Sequence, residues 1–299
     1  MIKVINMYEY LWLFIAYACL GWCTEVAFVT VDTGKFVNRG FLNGPVCPIY
    51  GFGVIAVISL LTPIQDNKLV LFLGSIIVAS VIEFLAGWIL EGIFKQRWWD
   101  YSNFPFNIKG YICLKFSILW GLGCMLVIEI VHPGIAHLIS LIPVNIGWII
   151  LSIFYIILFI DIFATVQTVL KINRQLEEAN KIAVKIHSIS DDIGQKISSG
   201  SMKVVNRLEE SKKVTEGLKT NVISSIKSSR EQLEYLKEQR EKVLSKNFFG
   251  KRRIIKAFPQ ITSPKYKLEL ENLKNKIIGR NCKEDKPTNP SDTKGKTSN

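Results

Sequence analysis

The stretch VNIGWIILSIFYIILFIDIFATVQTVL, residues 144–170, decides what kind of protein this is. Crossing a bilayer takes about 20 predominantly apolar residues in helical form, and this run exceeds that length. Backbone amides in lipid must find their partners within the segment, so the run reads as a helix. Upstream lie four more apolar segments: Asn6–Val31, Pro45–Leu61, Leu69–Phe94 and Ile112–Val131. Pro45–Leu61 is the shortest and carries Gly51 and Gly53. The expected fold is all-α: a polytopic transmembrane helix bundle of about five spans over residues 1–170, embedded in the lipid bilayer.

Downstream of residue 170 the helical pattern does not stop. Val169, Ile172, Leu176, Ala179, Ala183, Ile186, Ile193 and Ile197 recur mostly at steps of three or four, with charges on the other faces. A second stripe runs through Leu218, Val222, Ile226, Leu233, Leu236 and Val243. Residues 171–246 therefore read as a basic helical, coiled-coil-like segment of a long C-terminal extension. It folds as a hairpin within one chain, lies as a solvated amphipathic helix, or self-associates between copies as a coiled coil. Residues 247–299 read as a basic amphipathic stretch followed by a disordered tail. In Asn247–Lys267, Phe248, Phe249 and Phe258 mix with Lys251, Arg252, Arg253 and Lys256. Such a mixture at 251–256 suits anionic lipid head groups. In a membrane protein the adjacent bilayer is a better partner for it than nucleic acid. From Glu284 onward the chain is too polar to bury a core.

The charges divide as sharply as the hydropathy. Residues 1–170 hold 8 of the 37 Lys and Arg and 9 of the 25 Asp and Glu, so that half is −1 and the extension +13, for a net charge of +12. In the membrane half the basic residues favour the first loop (Lys35, Arg39) and the third (Lys95, Arg97, Lys109). The positive-inside rule then places these loops and the tail in the cytosol and the N-terminus outside, consistent with five spans in a plasma membrane. Ala16-Tyr17-Ala18 is similar to a signal-peptide cleavage site, but the apolar run continues to Val31, as in a retained helix. The six cysteines show no metal-finger spacing, so neither zinc nor a disulfide framework is expected, and no cofactor motif occurs.

Charge within the apolar half marks where chemistry could sit, because an intramembrane carboxylate needs a proton, a partner or a polar cavity. Glu83, Gly87 and Glu91 are spaced by four and share a helix face; Glu25 lies near the end of the first segment. The first loop, with Gly40, Gly44, Pro45, Pro48 and Gly51, predicts a broken, partly re-entrant approach to the second helix. Asn38, Arg39 and Asn43 would stand on it as fixed donors, with Tyr50 just beyond. Arg39 is the natural counter-ion for Glu25 or Glu91. Trp99 and Asp100 in the third loop, and Lys115 and Ser117 at the start of the fourth segment, complete a candidate polar binding cluster. No catalytic residue can be assigned.

These same stretches carry a resemblance. Asn38-Arg39-Gly40-Phe41-Leu42, Gly44-Pro45, Pro48-Ile49-Tyr50-Gly51, Glu83, Glu91, Trp99-Asp100-Tyr101-Ser102, Cys113-Leu114, Phe116-Ser117 and Trp120-Gly121 occur in one order along residues 8–165. Together they resemble the ABC-transporter type IV family, the CmpB-like group of bacterial membrane proteins. The resemblance implies a permease-type transport component. The chain has no Gly-x-x-x-x-Gly-Lys-Ser/Thr loop, so an ABC permease of this kind would need a separate ATPase subunit. Two other readings are a membrane-embedded enzyme acting on a lipid or lipid-linked substrate, and a non-catalytic scaffold working through its helical tail.

Overall fold

The structure is a computed structural model that describes residues 6–207 and 212–279, with side chains described outside 200–223. Cys282 and the expected disorder beyond Glu284 lie outside the described residues, and the side chains of Leu218 and Val222 fall in the undescribed range. The apolar segments form α1 (Met7–Thr33), α2 (Pro48–Leu61), α3 (Lys68–Phe94), α4 (Leu114–Leu126) and the start of α6 (Val144–Arg207). Four stretches are long and apolar enough to cross a membrane: Met7–Thr33, Lys68–Phe94, Leu114–Ser140 and Val144–Ser199. Pro48–Ile64 is shorter.

α1 starts on a capping box, Asn6 with Glu9, and stops at Gly34, whose φ of 68° ends the helix. The chain then turns back without forming a helix. Cys47 N donates to Ala18 O at 2.9 Å. Ala18 lies about 22 Å short of the end of α1 at 1.5 Å per residue, so residues 34–47 re-enter alongside α1 before α2 begins. From there α2 runs along the first half of α1, with Tyr10 and Ser59 hydroxyls 3.3 Å apart. The helices touch because two glycines allow it. Tyr50 lies against Gly21, and a Cβ on Gly51 would fall 2.8 Å from the carbonyl oxygen of Phe14. α2 is therefore approached by an extended segment that folds back along α1 and joins a helix of 14 residues, the broken geometry that the Gly and Pro spacing predicts.

The fourth segment differs from expectation. Sequence places a loop at His132–Pro143, but helix continues through a π-turn (Val127–Val131) into α5 (His132–Ser140). Pro133 cannot donate to the carbonyl four residues back and would clash with it in a regular helix; the wider turn just before it absorbs the misfit. Only residues 141–143 then link to α6.

α6 continues well past the apolar stretch, for 64 residues in all. α7 (Lys212–Ser245) returns along it. Gln175 Nε2 donates to the carbonyls of Val243 and Lys246, and Val169, Ile172, Leu176 and Ala179 are at most 1% exposed. This part of the α6 stripe is covered from within the chain, in the hairpin arrangement.

The basic stretch after α7 also turns inward. α8 (Lys251–Ala257) and α9 (Lys267–Ile278) bring Ile254, Ile255, Ile261, Leu270 and Leu273 into one core with Phe94, Trp98, Ile172, Leu176 and Leu244. Each such aliphatic side chain stabilises by about 1.5–3 kcal/mol when fully buried. Lys251, only 2% exposed, donates to Leu244 O at 3.1 Å and Lys246 O at 2.6 Å, satisfying the end of α7. Burial, with Lys276 and Arg252 nearby, pushes its ammonium down to about 8. Arg252 and Lys256 remain exposed. Of the four cations expected at a lipid surface, Lys251 and Arg253 thus face protein. The core demands this, because Ile254 and Ile255 must point into it.

Candidate functional site

The re-entrant segment is fixed by its own polar residues. Asn38 Oδ1 accepts from Trp22 Nε1 at 2.8 Å and from Gly40 N at 3.0 Å, while its amide donates to Asn43 O at 2.8 Å. Asn43 Nδ2 and N donate to Asp161 Oδ1 at 2.7 and 3.0 Å, and Gly44 N donates to Asp161 Oδ2 at 2.6 Å. Leu42, fully buried, packs with Phe14, Ile15, Leu151 and Leu158. Asn38 and Asn43 therefore hold the backbone of this segment. Asp161 on α6, which is absent from the expected cluster, anchors it. The same signal that marks Glu83, a carboxylate inside an apolar run, applies equally to Asp161.

A second centre lies between α1, α2, α3 and α4. Arg39 Nε stands 3.7 Å from Glu25 Oε2, and Tyr50 O–H donates to Glu25 Oε1 at 2.7 Å. The Tyr50 ring meets Trp120 edge-on at 5.8 Å between centroids. Trp120 Nε1 and Tyr101 O–H donate to Glu83 Oε1 at 3.4 and 3.2 Å. Glu83 is 9% exposed, and its Oε2 is buried without a hydrogen-bond partner. Among the described residues it forms no ion pair.

Tyr101 reaches Glu83 from a loop because of the residues beside it. Asp100 Oδ1 accepts from Ser102 N at 2.9 Å, closing an Asx turn, and Tyr101 N donates to Gly110 O at 2.8 Å. The hairpin of β1 (Asn107–Ile108) and β2 (Ile112–Cys113) turns through Lys109 and Gly110, both at positive φ, 53° and 74°. Tyr101 then stacks on Phe116 at 4.7 Å. Asp100 thus positions Tyr101 and does not itself reach the intramembrane carboxylates.

Glu91 forms a third, separate centre. Its Oε2 accepts from Arg97 Nε at 2.6 Å and Tyr111 O–H at 2.8 Å. The cation for Glu91 is Arg97, and Arg39 serves Glu25 alone. Although Glu83 and Glu91 share one face of α3, Gly87 between them leaves room for Tyr111 and Trp99 to pack in and divide the two. Trp99 donates to Tyr111 O at 2.9 Å, and Ser117 accepts from Ser80 at 2.8 Å, so both knit loop and helices together. Lys115 lies over the rings of Phe104 and Phe116 at 5.7 and 5.8 Å, exposed and apart from the carboxylates. The single expected cluster is therefore three polar centres. Arg97, Tyr101, Tyr111, Trp120 and Asp161 are needed to complete them.

Comparison with curated proteins and with solved structures gives no match. A family model does match, over residues 12–166, a span that includes the re-entrant segment and all three polar centres. The chain belongs to this family of membrane proteins, described as "Putative ABC-transporter type IV".

Proposed function

We propose that the chain is the membrane subunit of an ATP-driven transporter, working with a separate ATPase, and that Glu83 is its working charge. The observation that carries this reading is the Glu83 carboxylate itself. It sits deep in α3, about 22 Å from the start of the helix. Two neutral donors hold one oxygen, and the other is left without a partner. A carboxylate built only for structure would be fully satisfied, since unpaired buried polar groups cost about 1–3 kcal/mol each. One left open can take up a proton or a cationic group and release it again. The re-entrant segment beside it supports the same reading, because irregular backbone inside a membrane protein is tolerated where it is packed in protein or lines a polar path.

Two results test this. Full-length protein isolated from its native membranes under mild cross-linking should bring down a nucleotide-binding subunit and vanadate-sensitive ATP hydrolysis; neither appearing would reject the transporter reading. Cells whose only copy carries Glu83→Gln should behave like the deletion strain while holding a normal amount of protein with unchanged Tm. Wild-type behaviour would make Glu83 structural.

The same reading puts both loops and the tail in the cytosol. In a cysteine-free background, single cysteines at Lys35 and Lys109 should resist an impermeant thiol reagent in intact cells, and one at Ser140 should react. Labelling at Lys35 from outside would reverse the orientation.

A further inference from the structure

A cleft of about 290 Å³ opens where α3 ends, between Trp88 and Gly92 of that helix, Lys95 just past its end, Tyr111, and Pro264-Lys265 of the tail. None of its features belongs to the Glu83 centre. The tail wall exists because residue 262 pairs with residue 97 in an antiparallel bridge, with N–H···O distances of 2.8 and 2.9 Å. Gly92 forms an open floor, since a Cβ there would meet nothing within 4 Å.

Two kinds of surface meet at this cleft. Along α3, Leu85, Trp88, Ile89 and Ile93 are 44–59% exposed, an uncovered apolar face on a helix long enough to span a membrane. Beyond Ile93 come the exposed Lys95 and, across the cleft, the exposed Lys265. Glu91 also lines the cleft, but its charge is matched by Arg97 and Tyr111. Lys95 is bonded only to the Gly92 carbonyl at 2.7 Å, and Lys265 lies over the ring of Tyr266 at 5.3 Å. Neither forms an ion pair among the described residues. The cleft therefore carries two positive charges outside any ion pair among the described residues, at the end of an apolar face, with a Trp one turn inside the boundary, where amphipathic rings anchor at the interface.

We propose that this cleft binds the head group of an anionic phospholipid, with the phosphate between Lys95 and Lys265 and the acyl chains along Leu85, Ile89 and Ile93. An apolar helix face continuous with the cleft distinguishes a lipid from a soluble phosphate, which would gain nothing from it. The membrane half alone supplies only Lys95, so the tail completes the site. This also relocates the lipid contact expected at residues 251–256, where Lys251 and Arg253 are engaged with protein.

The test uses the full chain in detergent, titrated with dioleoyl phosphatidylglycerol, dioleoyl phosphatidylcholine or inorganic phosphate, with retained lipid counted by native mass spectrometry and Tm followed in parallel. Phosphatidylglycerol should be retained in preference to phosphatidylcholine and should raise Tm. A basic residue near an anionic surface contributes about 1 kcal/mol, so Lys265→Gln should weaken retention about 5-fold and the Lys95→Gln/Lys265→Gln pair about 25-fold. Lys265 is exposed and holds no backbone group, so its variant keeps the fold. Arg252→Gln/Lys256→Gln should leave retention unchanged. Equal retention of the two lipids, equal stabilisation by inorganic phosphate, or loss only in the Arg252/Lys256 variant would overturn the proposal. None of these outcomes depends on transport activity.

Discussion

Asp161→Ala should be the most damaging single substitution in the membrane half, lowering stability by about 4 kcal/mol or more. The carboxylate receives four hydrogen bonds, from Asn43 N, Asn43 Nδ2, Gly44 N and the Thr165 hydroxyl. Bonds to a charged group are worth about 1.5–3 kcal/mol each, and their loss leaves two backbone N–H groups with no acceptor in a packed interior. Asn43 Nδ2 also donates to Thr165 Oγ1 on α6 at 3.1 Å, and the placement of Arg39 and Tyr50 beside Glu25 follows from this anchor. For a chain of this size the loss should appear as a fall in Tm of about 8 °C or more in detergent. Asp161→Asn keeps one oxygen but turns an amide N–H₂ toward donors, so its loss should be intermediate. A fall of under about 2 °C for the alanine variant would mean that the re-entrant segment is held by packing of Leu42 and not by this carboxylate.

Arg253→Ala should rank second and act from the other side. The guanidinium donates to the carbonyls of Gly40 and Phe41, each at 2.8 Å, tying α8 to the re-entrant segment across more than 200 residues of chain. Burial lowers its pKa and Asp161 raises it, so the two ends of the segment share one electrostatic environment. Removing the fork should cost about 3 kcal/mol and strand both carbonyls. Limited proteolysis within residues 246–267 of the purified full chain should then become faster. Arg253→Lys should restore part of the loss, since an ammonium cannot reach both carbonyls as a planar fork does. Arg252→Ala, on the exposed side of α8, should change stability by no more than about 0.5 kcal/mol. Equal protease resistance of Arg253→Ala and wild type would show that the apolar core alone docks the tail.

Both substitutions test how the tail is coupled to the membrane half. The core that receives Ile254, Ile255, Ile261, Leu270 and Leu273 also contains Phe94 and Trp98, with Phe41 packed against it. Trp98 meets Phe258 at 4.8 Å and Phe41 at 5.0 Å, edge-on in both cases. Any displacement of the tail would therefore be felt at the two loops that carry Arg39 and Tyr101.

What the sequence by itself determined was everything that depends on composition along a single element. Apolar runs longer than a bilayer requires gave the helices, because lipid leaves the backbone no other partner. Gly and Pro spacing between residues 40 and 51 gave the broken approach to α2, and the stripe from Val169 to Ala179 gave the continuation of α6. The carboxylates Glu25, Glu83 and Glu91 were legible because charge in an apolar run is costly wherever it occurs; Asp161 carries the same signal.

Only the tertiary structure decided which partner each charge takes. Residue types cannot say that Arg97 claims Glu91, since an i, i+6 pair lies off the helix and needs the turn after Phe94 to bring the guanidinium back. They cannot say that Tyr101 rather than Asp100 enters the bundle, because that depends on an Asx turn and a hairpin with Lys109 in the left-handed region. The largest revision is the basic stretch. Its charge density favours an anionic surface, but Ile254 and Ile255 at adjacent positions are drawn into a core built from α3, α6 and α7, where Phe94 lies 160 residues upstream of Ile254. Burial of those apolar groups outweighs the exposure that the neighbouring cations prefer, and Lys251 and Arg253 follow inward because backbone carbonyls are there to receive them.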